Sequence, residues 1–389
     1  MPMNLDFTTE QEQFRDQVRT WLEENKPREP RPEGSLATRE FDLAWQKILY
    51  KGGWAGINWP VEYGGQGFDT FKQLIFLMEY AKAEAPIDGY RFNGLNLAGP
   101  TIIACGSEEQ KKQYLLPILK GDVIWCQGFS EPSAGSDLAS LRTKAVIDGD
   151  DMIVTGSKIW TSWARFADWQ QLLVRTDPDA PKHKGISWVI NPMNNPGMEI
   201  RPIKDMSDGD DLHEVFYNEV RIPLKNIVGA MNDGWRVSMA QLAFERGTAF
   251  MPSQVNGQRF IEELVELAKT TRLADGRFAI EDDHIAYELA MLRAETRSLL
   301  AMTLMGVSRN ERSGLPGPEG SMLKLVHSEL RKRATLLSLE ILGSNRLVLS
   351  NATGHWPHAF LYSFADTLGG GTSEIQRNII GERFLGLPK

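Results

Sequence analysis

The sequence predicts a mainly α protein with a central β domain, and three observations carry that prediction. Apolar residues recur at helical spacing through about the first 120 positions, alternate with a period of two from about 122 to 230, and return to helical spacing from Trp235 onward. The expected organisation is an N-terminal α-helical domain over residues 1–121, a middle antiparallel β domain over 122–233, and a C-terminal helical bundle over 234–389.

The N-terminal helices are read from Phe14, Val18, Trp21 and Leu22, which stand at i, i+4, i+7 and i+8 behind Thr8 and Gln11 in capping-box spacing. Between helices, Trp59-Pro60-Val61-Glu62-Tyr63-Gly64-Gly65-Gln66-Gly67 is rich in turn formers and reads as a structural turn rather than a binding loop. In the middle, Met152-Ile153-Val154, Leu172-Leu173-Val174 and Val215-Phe216-Tyr217 are strand-like, and Asp148-Gly149-Asp150-Asp151 is a hairpin tip. Short strands without intervening helices point to an antiparallel barrel or sandwich, not to a parallel nucleotide-binding sheet, and no Gly-x-Gly-x-x-Gly follows a strand. Further on, Ile285, Leu289 and Leu292 mark one helical face and Met322, Leu325, Val326 and Leu330 another, with a loop at 313–318 between them. A four-helix bundle buries such faces.

Composition narrows the function. Of 389 residues, 42% are apolar and 24% charged, ordinary for a globular protein, and no apolar run approaches the roughly 18 residues of a membrane span. A net charge of −8 argues against a nucleic-acid partner. Cys105 and Cys126 stand far from any metal or redox spacing, which fits a reducing cytoplasm, and the opening residues carry no export signal. The histidines His183, His213, His284, His327, His355 and His358 show no metal-ligand spacing. His355 and His358 flank Trp356-Pro357 and read as part of a loop, and Lys182-His183-Lys184 reads as an exposed hairpin tip.

Residues 126–162 are the most informative stretch. They begin Cys-Gln-Gly-Phe-Ser-Glu-Pro-Ser-Ala-Gly-Ser-Asp and end Gly-Ser-Lys-Ile-Trp-Thr-Ser. Hydroxyls at Ser130 and Ser162, with the aromatic wall of Trp160, suit a planar cofactor with polar edges, such as a flavin ring. Each serine alone reads as a turn residue; the joint pattern makes the cradle.

With Pro60–Gly67, Gly106–Lys112, Ser130–Asp137, Lys158–Ser162, Gly320–Met322 and Gly371–Arg377, this pattern resembles the acyl-CoA dehydrogenase family along nearly the whole chain. The resemblance implies that family's fold, with a β-barrel in the middle and a four-helix bundle at the C-terminus. It also implies FAD lying between barrel and bundle, with Ser130 and Ser162 near the pyrimidine side and N5 of the flavin and Trp160 bordering the ring. The family usually has threonine at both serine positions. By the same resemblance Phe129, Gly135, Ser136, Gly343, Thr372 and Glu374 surround the cofactor, while Ser136, also near the pantetheine or phosphate of CoA, and Arg246 contact substrate. A neighbouring subunit would supply an arginine for the FAD pyrophosphate, matched here by Arg272, and a Gln-x-x-Gly-Gly-x-Gly loop. That loop corresponds to Glu340–Arg346, where glutamate replaces the glutamine and arginine the last glycine.

The implied reaction removes an α proton and a β hydride from an acyl-CoA thioester to give the trans-2-enoyl-CoA. Most of the family carries the base in a C-terminal Tyr-Glu-Gly-Thr; here the place reads Gly369-Gly370-Gly371-Thr372, without a carboxylate. Glu245, in Leu242-Ala243-Phe244-Glu245-Arg246, matches the alternative position for that base, and its apolar neighbours would raise a carboxylate's pKa toward a working range. The α proton also needs a polarised thioester oxygen, for which preorganised donors are worth roughly 3 kcal/mol each. The resemblance assigns that role to the Gly370 N–H together with a ribityl hydroxyl of FAD. The glycine run either widens the acyl pocket for a branched or steroid side-chain substrate or is a flexible linker before a helix starting near Thr372. Expected partners are acyl-CoA, an electron-transfer flavoprotein, and identical subunits in a dimer or tetramer. Two alternatives are a paralogous chain in an α2β2 assembly that completes the FAD site, and a flavin oxidase or monooxygenase on the same fold.

Overall fold

A computed structural model describes residues 7–32, 35–86, 89–244, 251–313, 319–349 and 354–388. The chain forms two compact units, one of residues 1–69 and 82–245, the other of 70–81 and 246–389. Helices α1 (Thr9–Asn25), α2 (Ser35–Lys51), α3 (Thr70–Lys82), α4 (Gly99–Cys105) and α5 (Glu108–Lys120) precede the sheet. The expected capping box starts α1: the Gln11 N–H donates to Thr8 Oγ1 at 3.2 Å and the Thr8 N–H to Gln11 Oε1 at 2.9 Å. Phe14, Val18 and Leu22 are buried along its inner face, while Trp21 is half-buried beside Trp45 and Trp54.

The glycine-rich loop after Trp59 is structural, as expected. Trp59 is buried and its indole N–H donates to the Leu95 carbonyl at 3.0 Å. The chain then folds back over that residue: a Cβ on Gly65 would lie 2.2 Å from the Trp59 carbonyl oxygen, so only glycine fits there.

The sheet has eight strands: β1 (Trp125–Gly128), β2 (Lys144–Asp148), β3 (Asp151–Ser162), β4 (Trp169–Arg175), β5 (Ile186–Pro192), β6 (Met198–Ile203), β7 (Leu212–Pro223) and β8 (Ile227–Val228). Their order is β6-β7-β3-β2-β4-β5-β8, with β1 alongside β4. Pairing is antiparallel except for β1 with β4 and a single residue pair between β2 and β4. Asp148 pairs with Asp151, leaving Gly149 and Asp150 as a two-residue hairpin, and Gly149 takes the positive φ of 61° that a type II′ turn asks of its first residue. Met152 and Val154 point into the domain core with Val215 and Tyr217. Leu172, Leu173 and Val174 are all buried, so β4 is covered on both faces. Helix α5 is tied to this sheet by Gln110, whose amide donates to the carbonyls of Lys225 and Ile227 at 2.8 and 2.9 Å.

Helix α6 (Gly234–Phe244) packs in the first unit, where the Trp188 indole donates to Gln241 Oε1 at 2.9 Å. The second unit holds α7 (Met251–Thr270), α8 (Asp283–Ser313), α9 (Glu319–Leu342), α10 (Trp356–Asp366) and α11 (Ser373–Ile379), together with most of α3. Its core joins four helices: Ile261 and Leu264 of α7, Ile285, Leu289 and Leu292 of α8, Leu330 and Leu337 of α9, and Trp356 of α10. On α9 the buried stripe runs through Leu323, Leu330, Ala334 and Ile341, with Val326 partly buried; Met322 and Leu325 of the expected face lie at its margin. Leu74 of α3 is fully buried against Val255 and Leu304. The expected loop around His355 and His358 is instead the start of α10, because Pro357 sits in the first turn, where a missing N–H costs nothing. Lys182, His183 and Lys184 are exposed between β4 and β5, as expected. Among the described residues no helix is long and apolar enough to cross a membrane.

His327 on α9 is a pH-sensitive element of the second unit. Burial, with Arg331 and Lys324 nearby, pulls its pKa down to about 4, so it is neutral at pH 7. A histidine depressed in the folded state contributes stability that is present above its unfolded value of about 6.5 and is lost as pH falls through the folded value. Denaturant unfolding across pH 7 to 4 is expected to show this loss, and His327→Gln to flatten that part of the profile.

Candidate active site

The Ser130–Ser162 cradle is built on a buried ion pair. Pro132 and Ser133 form a tight turn closed by reciprocal backbone hydrogen bonds between Glu131 and Ala134, both 3.0 Å. The turn aims the Glu131 carboxylate inward, where it accepts the N–H groups of Arg142 at 2.6 Å and Thr143 at 2.8 Å and the Lys158 ammonium at 2.8 Å. Lys158, fully buried on β3, also donates to the Phe129 carbonyl at 3.1 Å. Burial alone would raise the Glu131 carboxyl, but Lys158 and the donated hydrogen bonds outweigh it and hold the group below its ordinary value. Burial pulls the Lys158 ammonium down to about 8, against the opposing pull of Glu131. Lys158 thus grips the residues on both sides of Ser130, and the Ile159 N–H closes the contact on the Ser130 carbonyl at 2.9 Å.

Beyond Lys158 the strand bulges. Lys158 pairs with Val215 and Thr161 with His213, so Ile159 and Trp160 together oppose Glu214 alone. Trp160 occupies the bulge with a φ of 61°, a conformation that costs a bulky residue about 1–3 kcal/mol, and its side chain is 56% exposed. This strain gains the protein's own core nothing. The hydroxyls of Ser130 and Ser162 have no hydrogen-bond partner among the described residues. Buried Thr161 Oγ1 and Gln127 Nε2 are likewise unpartnered. An outward aromatic wall beside unused polar groups fits a planar ring with hydrogen-bonding edges. Ser130, Ser162 and Trp160 would hold such a ring, while Phe129 is buried and contributes its carbonyl to Lys158.

Sequence reasoning missed the Glu131–Lys158 pair and His213. The His213 Nδ1 lies 3.1 Å from the Asp211 carbonyl and 3.3 Å from that of Thr161, and its Nε2 is buried without a partner. Burial lowers its pKa, so the ring is neutral. The lone sequence signal was a histidine on a strand otherwise patterned for burial. Gly135 and Ser136 lie on the exposed turn after Ala134, and a side chain at Gly135 would meet nothing of its own chain within 4 Å.

In the second unit, Gly370 and Gly371 both have positive φ, 66° and 92°, just before α11. Thr372 caps that helix, its Oγ1 accepting the Ile375 N–H at 3.2 Å, so the helix starts where expected. Glu374 stands exposed in its first turn, where its own backbone N–H and the Thr372 hydroxyl lower the carboxyl's pKa. Arg272 opens a tight turn: its Nη1 donates to the Gly276 carbonyl at 2.6 Å and its guanidinium lies 4.0 Å from the Phe278 ring centre. It makes no ion pair among the described residues, whereas Arg277 in the same turn is held by Asp275 at 2.8 Å. Gly343 ends α9 at a φ of 57°. Glu340 reaches the His284 Nε2 at 3.5 Å, and Arg346 is exposed. Glu245 and Arg246 lie outside the described residues.

A helical segment, a β segment bearing a strained aromatic wall and hydroxyls unpartnered among the described residues, and a second helical segment fit a flavin-dependent oxidoreductase. The chain belongs to the acyl-CoA dehydrogenase family: the models for its N-terminal, middle and C-terminal domains match residues 8–122, 126–220 and 232–385. It is an acyl-CoA dehydrogenase, and FAD is its cofactor. It is 38% identical to acyl-CoA dehydrogenase IpdE1 of Mycobacterium tuberculosis over 97% of this chain and 98% of that one. Among solved structures it is similar to the ChsE4-ChsE5 complex of Mycobacterium tuberculosis, with a TM-score of 0.83 and 34% identity, and to the Tcur3481-Tcur3483 steroid acyl-CoA dehydrogenase, with a TM-score of 0.85 and 32% identity. Each comparison covers 100% of both chains.

Glu131→Gln leaves a buried ammonium without its counter-charge and is expected to cost about 3–5 kcal/mol of unfolding free energy, measured by denaturant titration of the FAD-free protein. The double variant Glu131→Gln with Lys158→Met is expected to lose less than the single one, because no unpaired charge remains.

Proposed function

We propose that the chain oxidises an acyl-CoA thioester to the trans-2-enoyl-CoA, with Glu245 as the base for the α proton and the Gly370 N–H as a donor to the thioester oxygen. FAD, when bound, accepts the β hydride. The observation that carries this reading is the cradle of Ser130, Trp160 and Ser162, which leaves hydroxyls unused and an aromatic face outward within a family that dehydrogenates acyl-CoA. The Gly369–Gly371 run has no carboxylate to take the proton, and Glu245 follows the apolar Leu242-Ala243-Phe244. A carboxylate in such surroundings is the stronger base for its higher pKa. The Gly370 N–H donates to no acceptor among the described residues, which leaves it for a ligand oxygen. Arg272, which makes no ion pair among the described residues, is the group we assign to the FAD pyrophosphate.

For the substrate we infer a bulky acyl group, branched or a steroid side chain. Glycine at position 370 removes side-chain volume beside the thioester, and a 32% identical structure is named a steroid acyl-CoA dehydrogenase. We assign an electron-transfer flavoprotein as the acceptor. The test is anaerobic bleaching of bound FAD by a panel of acyl-CoAs. Glu245→Gln is expected to slow bleaching by about 10²–10⁴-fold; an unchanged rate removes Glu245 from the base role.

A second reading concerns assembly: the FAD site is completed by a paralogous chain. Glu340 and Arg346 replace the glutamine and glycine of the family's loop, Glu340 faces His284 of its own chain, and one of the similar structures is a complex of two named proteins. The protein purified alone would then be colourless and gain a flavin spectrum only when expressed with its partner. A yellow homomeric protein excludes this assembly.

A further inference from the structure

The loop before α11 is held from several sides. On its N-terminal side the Gly369 N–H donates to the Ala365 carbonyl at 2.8 Å, and across its base the Ser373 N–H donates to the Thr367 carbonyl at 3.0 Å. Between these ties both glycine carbonyls are occupied. Gln376 Nε2 donates to the Gly370 oxygen at 2.9 Å and lies 3.3 Å from the Gly371 oxygen, and Lys324 Nζ of α9 donates to the Gly371 oxygen at 2.8 Å. The N–H groups of Gly370 and Gly371 have no acceptor among the described residues. Two neighbouring N–H groups without an acceptor among the described residues, in a loop whose carbonyls are occupied, can donate to an oxygen gaining negative charge.

Both holding side chains are buried against this loop. Gln376 is fully buried and leaves its own Oε1 without a partner while its amide N–H groups serve the glycines. Lys324 is 5% exposed, and a buried ammonium grips a carbonyl more firmly than a neutral donor does. Because C=O and N–H are antiparallel across a trans peptide, fixing the Gly370 carbonyl sets the direction of the Gly371 N–H and anchors Gly370 from its C-terminal side. The Gly369 N–H bond fixes the Leu368–Gly369 peptide and the Lys324 bond fixes the Gly371–Thr372 peptide, so the chain is held on both sides of the Gly370 N–H.

We propose that Lys324 and Gln376 are positioning residues that aim the Gly370–Gly371 N–H groups at the thioester oxygen. This rests on the reading of Gly370 as the thioester donor. The probe is a chromophoric 3-aryl-acryloyl-CoA bound to the holoenzyme, whose absorption moves to the red when its carbonyl is polarised. The wild-type enzyme is expected to give that shift. Lys324→Met and Gln376→Leu are expected to lose at least half of it, with kcat down about tenfold and KM little changed, and Lys324→Arg to restore most of it. Should Lys324→Met fail to fold, Gln376→Met, which removes the amide donor and leaves the glycines in place, tests the same point. Variants that lose thermal stability yet keep the full red shift overturn the positioning role. A wild-type enzyme that binds the probe without any shift overturns the Gly370 reading itself.

Discussion

The site in the first unit depends on one charge pair that water does not reach. Lys158 lies between Glu131 and the Phe129 carbonyl, so a single ammonium fixes the two neighbours of Ser130 to the strand that carries Trp160 and Ser162. Removing two charges from water is costly, and the arrangement is tolerable because the carboxylate also receives two backbone N–H groups. A loop and a strand are thereby held in register without a disulfide or a metal. Such rigidity is what a strained residue requires, since Trp160 keeps its positive φ only while its surroundings over-determine it.

The second unit meets a similar demand with different means. Its four helices bury aliphatic faces without exacting geometry, yet the loop before α11 is held by directional bonds from α9 and α11. Apolar packing sets how far apart the helices stand; Lys324 and Gln376 set which way a few backbone groups face. In both units a polar residue that could have been spent on solubility is buried and used to orient backbone.

Much of this was legible in the sequence where the signal is local. The Thr8–Gln11 capping box, the Gly149 hairpin, the α8 stripe of Ile285, Leu289 and Leu292, and the cap at Thr372 depend on neighbours within a turn or two, and each stands where its pattern put it. What escaped depends on partners distant in sequence. Lys158 and Glu131 are 27 positions apart and look like ordinary surface charges in a list of residues. Leu330 is buried as expected, but the shift of the α9 stripe from Met322 and Leu325 toward Leu323, Ala334 and Ile341 follows from which neighbours α9 meets, and a hydrophobic period cannot state that. The loop expected around His355 and His358 is a helix start, because a proline in the first turn favours helix where a proline further along would not. Residues 340–346 match the corresponding family loop least well, and Glu340 faces another helix of its own chain.

Helix α3 has a consequence for how the chain is made. It emerges within the first quarter of the sequence, but Leu74 finds its burial against Val255 and Leu304, residues translated much later. Contacts of such long sequence separation close late and leave apolar surface waiting. An amino-terminal fragment ending before Val255 would carry α3 without these two partners of Leu74. The two compact units are therefore not two independently heritable modules, and a cut or a fusion point between α6 and α7 would part a helix far upstream from its partners Val255 and Leu304 in a nascent or truncated chain.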